Sequence, residues 1–205
     1  MAARSADGRR RSDTPRKGDV REQRILDAAE ALLAEIGFDA MTVGGIAEGA
    51  GLSRGSLYFY FRSKPDVVSG LVARTVAALQ QKSIDAAHDP AEPREAVETV
   101  MSRTRALWQE HGVVMRAATD LNRSVPEVGA LWSQTAEVFI AAITRILRRA
   151  GVPEGDGPQA AGSLARALCW MIERSFYHAS LAGPDELERV SAACLEVWLR
   201  TARLA

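Results

Sequence analysis

The chain has 205 residues, 26 basic against 26 acidic side chains, 47% hydrophobic residues and 25% charged ones, the make-up of one large or two unequal folded units with a real core. Its two cysteines, Cys169 and Cys194, belong to no CxxC and no Cys/His cluster, which excludes a disulfide framework and a zinc pattern and favours a reducing compartment. No apolar run approaches the length of a membrane span and the Arg-rich start lacks the apolar segment of a signal peptide, so the expectation is a soluble, cytoplasmic protein with no membrane partner.

Residues 1–21 hold seven basic side chains against three acidic ones, a local charge of +4, with almost no apolar residues. Residues 1–19 therefore read as a disordered basic arm, either a solubiliser or a limb that touches an anion. Helical periodicity begins at Val20. In "REQRILDAAEALLAEIG", Ile25, Ala28, Ala29, Leu32, Leu33 and Ile36 recur at three- and four-residue spacing and define a buried face. Gly37 is placed to end this helix. Thr42 then caps a short helix, "TVGGIAEGA", with Val43, Ile46, Ala47 and Ala50 inward. Gly51 supplies the left-handed residue of a tight turn, and Ser53 caps a third helix, "RGSLYFYF". Ser63 opens a fourth, with Pro65 and Asp66 in its first turn.

Two short helices joined by a Gly turn and preceded by a support helix make a helix-turn-helix, which places its second short helix in the major groove. Within that helix Leu57 and Phe61 face the core, Tyr58 lies on a flank, and Phe59 and Tyr60 take the remaining side, where a phenol can reach a phosphate. Arg62 and Lys64 add positive charge just beyond; such contacts orient a protein on DNA without reading sequence. Arg54, Gly55 and Ser56 are left to meet base edges, Gly55 permitting close approach of the backbone.

The stretch "TVGGIAEGAGLSRGSLYFYFRSKPDVV" closely resembles the DNA-binding region of the TetR family of bacterial transcriptional repressors. The likeness rests on Thr42, Ile46, Ala47, Ala50–Gly51, Ser53, Gly55, Leu57–Tyr58, Phe61 and Ser63–Lys64, and spans about residues 20–70. It implies that Thr42, Arg54, Ser56, Tyr58, Tyr60 and Lys64 lie on the DNA-facing side; where Tyr60 stands, the family often has histidine. It also implies a DNA-binding unit over residues 20–66 and a ligand-binding and dimerisation unit over residues 67–205.

Beyond the break "HDPAEP" at 88–93, helices are expected near 94–111, 112–123, 126–149, 158–181 and 185–204. The fold class is thus all-α with about nine helices and no strand. Large apolar side chains, Trp108, Met115, Trp132, Phe139, Trp170, Met171, Phe176 and Trp198, are spread over these segments. They suit either a plain core or a cleft for a greasy ligand. Part of this region is similar to a mycobacterial branch of the same family whose pocket is long and mostly apolar. Carried over, that likeness implies pocket positions at Phe139, Ile143, Cys169, Ile172, Glu173, Phe176 and Trp198, to which Trp108 is added by its bulk. That branch has asparagines where this chain has Cys169 and Ile172, so its polar contacts are not inherited. The effector implied is an elongated apolar or aromatic molecule.

Small residues line the last two helices, Ala161, Ala165, Ser175 and Ala179 on one and Ala192, Ala193 and Thr201 on the other, and permit close helix contact. The family dimerises through its last helices, and one short helix touches too few bases for useful specificity. A homodimer on a palindromic double-stranded operator is therefore expected. Enzyme readings find no support: there is no G-x-S-x-G elbow, P-loop or metal-ligand spacing, and Cys169 and His178 fall on opposite faces of one helix. No cofactor and no metal are expected. The competing expectation is a helical ligand-binding or interaction protein that does not bind DNA.

Overall fold

A computed structural model describes residues 17–88 and 92–204. Eight helices and no strand occur among them: α1 (Lys17–Ala40), α2 (Val43–Gly49), α3 (Arg54–Tyr58), α4 (Lys64–His88), α5 (Pro93–Leu121), α6 (Pro126–Arg149), α7 (Ala161–Ala182) and α8 (Pro184–Thr201). Residues 1–16 of the basic arm lie outside the described residues. No described helix is long and apolar enough to cross a membrane.

The local signals act where they stand in the sequence. Gly37 adopts φ 75°, ψ 170°, and breaks the helical path of α1, a conformation that costs glycine little. Gly51 (φ 64°) turns the chain between α2 and α3. Thr42 Oγ1 accepts from Gly45 N–H at 3.0 Å, Ser53 Oγ accepts from Ser56 N–H at 3.1 Å, and Ser63 Oγ accepts from Asp66 N–H at 3.2 Å. Each satisfies an orphan donor at a helix start, an interaction worth about 1 kcal/mol.

Four expectations need correction. Ile36 is 45% exposed rather than inward, because it sits next to the break at Gly37. The third helix ends at Tyr58: Leu57 C=O accepts from both Tyr60 N–H and Phe61 N–H, which tightens the last turn, turns Phe61 inward and stops propagation. The segments expected at 94–111 and 112–123 form one helix, α5, interrupted at His111 (φ −125°, ψ 27°); buried Leu107 and Trp108 before the break and Val114 and Met115 after it keep both halves on the same core. Of the small residues expected between protomers, Ala161, Ala165 and Ala179 are already buried inside one chain.

α4 joins the two parts. It packs on α1 at one end and on α5 and α6 further along, while α7 lies against α6 and α8. One carboxylate ties three of these helices together. Glu30 of α1 accepts from Arg74 of α4 at 2.8 Å through Oε2, and its Oε1 lies 2.8 Å from His111 Nδ1 at the break in α5.

Candidate DNA-reading face and ligand cavity

The first site is built on α2 and α3. Leu57, wholly buried, and Phe61 anchor α3 on Ile46, Ala47 and the α1 core; burying a side chain such as Leu57 contributes about 1.5–3 kcal/mol. Anchoring that face turns Arg54 and Gly55 into solvent, with Ser56 half-buried. A Cβ built at Gly55 meets only Ser53 Oγ, at 3.9 Å, so the start of α3 stands clear of its own protein. Ser56 Oγ lies 2.9 Å from Ser53 Oγ, and Thr42 is exposed at the start of α2. Tyr58 is 51% and Phe59 90% exposed, whereas Tyr60 is half-buried against the core. Lys64 has a structural role: Nζ donates to Phe38 C=O at 2.8 Å and Asp39 C=O at 3.3 Å, and sits 4.2 Å from the Phe38 ring centroid. It thereby caps the end of α1, with one of its three N–H donors left over.

The second site is an apolar cavity between α5, α6, α7 and α8, with about 90 Å³ of free space. At roughly 10–15 Å³ per water-sized sphere this is room for a thin ligand. Trp108, Phe139, Ile143, Cys169, Ile172, Glu173 and Trp198 line it. Phe176 does not; it is wholly buried behind the wall, its ring centroid 6.3 Å from that of Trp108. Trp132, one of the bulky residues suited to either a core or a cleft, also lines the cavity, together with Thr135, Ala136 and Ile146, for which the sequence had suggested no such place. Extending the three- and four-residue spacing of Phe139 and Ile143 along α6 in both directions finds all four.

Polar groups are sparse. Glu173, whose side chain is 14% exposed, accepts from Thr119 Oγ1 at 2.9 Å. Thr135 Oγ1 accepts from Gln80 Nε2 of α4 at 3.2 Å, and Thr104 Oγ1 donates to Val100 C=O at 2.9 Å. Burial, and next the negative charge of Glu173, push the Cys169 thiol up to about 12 from 9.0. It is protonated at neutral pH and behaves as a small apolar wall. Such a shift cuts the thiolate fraction by about a thousandfold. Cys194 is also raised, mainly by burial. Both thiols of the folded protein should therefore resist iodoacetamide at pH 8 while labelling rapidly in urea; mass spectrometry showing native Cys169 alkylated at the unfolded rate would contradict this.

A more polar space of about 300 Å³ adjoins the cavity, sharing Trp132, Trp170 and Glu173 with it and lined in addition by Asn122, Arg123 and Arg174. On the opposite side of α7, an open apolar groove against α8 is lined by Met171, Ser175, Val190, Ala193 and Val197, with Leu181 62% exposed on the same helix.

Two family models match along the chain. Residues 25–71 match the model of bacterial regulatory proteins of the tetR family, and residues 94–202 match that of the C-terminal domain of the transcriptional regulator EthR. The chain is 34% identical over 200 residues to the HTH-type transcriptional regulator EthR of Mycolicibacterium smegmatis, covering 94% of this chain and 90% of that protein. Among solved structures, the fold matches SmeT, the repressor of the Stenotrophomonas maltophilia multidrug efflux pump SmeDEF, with TM-score 0.70 at 24% identity over 87% of this chain and 88% of that one. It also matches Thermus thermophilus FadR in complex with lauroyl-CoA, with TM-score 0.63 at 21% identity over 87% and 93%.

Proposed function

Because the chain belongs to the TetR family of bacterial regulatory proteins, we propose that it is a transcriptional repressor that holds a palindromic operator as a homodimer and lets go when an apolar small molecule fills the cavity. The observation that carries this reading is the pairing, in one chain, of an outward-facing α3 start with an apolar cavity about 90 Å³ in free volume. Arg54, Gly55 and Ser56 serve as base readers, with Thr42, Tyr58, Tyr60 and the spare donor of Lys64 on the phosphates. The apolar groove between α7 and α8 supports pairing of two copies there, which sets two α3 helices on one duplex.

Release follows from linkage: the ligand must bind the free conformation more tightly than the DNA-bound one. α4 is the element suited to carry that preference. It touches α1 near the reading helices and reaches the cavity wall through the Gln80–Thr135 bond. A ligand-binding protein without DNA activity leaves the exposed Arg54 start unexplained.

The test is fluorescence anisotropy with palindromic DNA from upstream of the protein's own gene, on the parent and on Ile172→Trp. The larger side chain occupies the cavity permanently. Operator affinity is expected to fall roughly 5- to 150-fold, the usual range of allosteric coupling, with the dimer still folded by circular dichroism. A parent that binds no such palindrome would sink the repressor reading, and an Ile172→Trp dimer that binds like the parent would sink ligand-driven release.

A further inference from the structure

Phe59 is the most exposed large apolar side chain among the described residues, at 90%; the next, Leu181, stands at 62%. The cause lies in the register of α3. Phe59 keeps helical angles at the end of that helix (φ −71°, ψ −23°), and its N–H donates to Ser56 C=O at 3.3 Å. The two buried anchors, Leu57 and Phe61, stand two residues to either side of it. At about 100° per residue, a position two residues from both points about 160° away from each. Burying the anchors therefore drives Phe59 straight outwards. One turn earlier on the same outward line is Gly55, which has no side chain to shelter the ring; a Cβ built there meets only Ser53 Oγ.

A phenylalanine left in water contributes nothing to the fold through burial, so its use lies in what it touches. Charge narrows the choice. Between Glu48 and Asp66 the chain carries no carboxylate, while Arg54 and Arg62 are both exposed there. A ring framed by arginines in this way suits a polyanion. In the major groove of a duplex the base faces are stacked out of reach. The base edges there present hydrogen-bonding groups with one apolar exception, the methyl group of thymine. Phenylalanine has no donor or acceptor for the other edge groups, and covering them leaves them unpaired, which is costly. Against the methyl it gains buried apolar area instead.

We propose that Phe59 is a specificity-determining residue of α3, its ring packed on the methyl group of one thymine in each half of the operator. This rests on the reading of the protein as an operator-binding dimer. To the edges read from Arg54, Gly55 and Ser56 it adds a position chosen by apolar fit rather than by hydrogen bonds.

The test removes the methyl alone. Anisotropy titrations use the palindromic duplex from upstream of the protein's own gene, and duplexes with thymines replaced by deoxyuridine, one symmetry-related pair at a time. For the parent, one pair is expected to weaken binding about 15-fold, from about fourfold for each methyl-sized contact counted in both halves. Bromodeoxyuridine at that pair, with a bromine close to a methyl in size, should restore binding. Phe59→Ala should bind the thymine operator more weakly by a similar factor and no longer distinguish thymine from uracil at that pair. Its slope of affinity against salt should stay that of the parent, because no phosphate contact is lost. Phe59→Leu should keep the thymine preference in part, and takes the place of the alanine variant should that one fail to fold. A parent that binds the palindrome with no sensitive thymine pair would overturn the assignment and leave the repressor reading standing. So would a Phe59→Ala protein that keeps the parent's preference for thymine over uracil, or that loses equally on operator and scrambled duplexes. A parent that binds no such palindrome sinks the repressor reading, and this assignment with it.

Discussion

Replacing Arg54 by alanine is expected to lower operator affinity by roughly 30-fold or more while changing affinity for scrambled DNA much less. Arg54 is the first residue of α3, and its side chain runs out past the start of α2, where the ideal Cβ of Gly44 lies 3.6 Å from Arg54 Nε. Gly44 leaves the guanidinium room to swing, and none of its hydrogen-bond donors is used within the described residues. On the proposed reading Arg54 would pair with a guanine edge through two donors, an interaction worth about 1–3 kcal/mol of base discrimination. A two-fold dimer counts the loss twice, which sets the lower figure. Anisotropy titrations of operator and scrambled duplexes at one salt concentration give both numbers. Equal losses on the two duplexes would make Arg54 a phosphate contact and move the base-reading position elsewhere on α3.

Short-range features of this protein were legible in the sequence because the forces behind them act over three or four residues. The caps at Thr42, Ser53 and Ser63, the turn at Gly51 and the inward pair Leu57 and Phe61 all belong to this class. Long-range partners were not. The Lys64 cap on α1 spans 26 positions, and the contact between Glu30 and His111 spans 81; no local spacing encodes them. Lys64 illustrates the limit, since its charge suggested a phosphate contact while packing engages two of its donors elsewhere. In the cavity, aromatic bulk was visible but its orientation was not. How far α7 is rotated against α6 decides that Cys169 and Ile172 face the free space and that Phe176, one turn on, packs behind Trp108. Periodicity gives a helix its faces; neighbours from distant sequence decide which face meets which wall.

Gly129→Ala should cost about 2 kcal/mol of stability, although alanine is the better helix former. The ideal Cβ at residue 129 falls 2.3 Å from the backbone oxygen of Asn122 and 3.3 Å from its carbonyl carbon. That backbone cannot easily yield. It belongs to the corner between α5 and α6, held by Val125 N–H on Leu121 C=O at 2.8 Å and by the Asn122 side chain on Thr119 C=O at 2.7 Å. Overpacking of this kind costs about 1–3 kcal/mol and more where the obstacle is rigid, against about 1 kcal/mol of helix propensity gained. At this chain length the net loss lowers the melting temperature by about 4–8 °C. Gly162→Ala in α7, with nothing within 4 Å of the new carbon, should not lower it. A melting temperature for Gly129→Ala at or above that of the parent would mean that the corner is far softer than its hydrogen bonds imply.

The interruption of α5 at His111 also has a mechanical consequence. An unbroken helix under a sideways push translates nearly as a rod, whereas a helix with one unwound residue pivots there. The arm from Pro93 to the break is about 27 Å long at ~1.5 Å rise per residue, so each degree of rotation carries its far end by roughly 0.5 Å. Trp108 pushes on that arm from one side of the pivot and Met115 on the other arm from just beyond it, and both face the cavity. The contact to Glu30 is made at the pivot itself, where displacement is smallest. If the two arms of α5 turn about His111, the contact to Glu30 passes their change of angle to α1 more than the sweep of the far end, so the reading helices would be set by tilt rather than by translation.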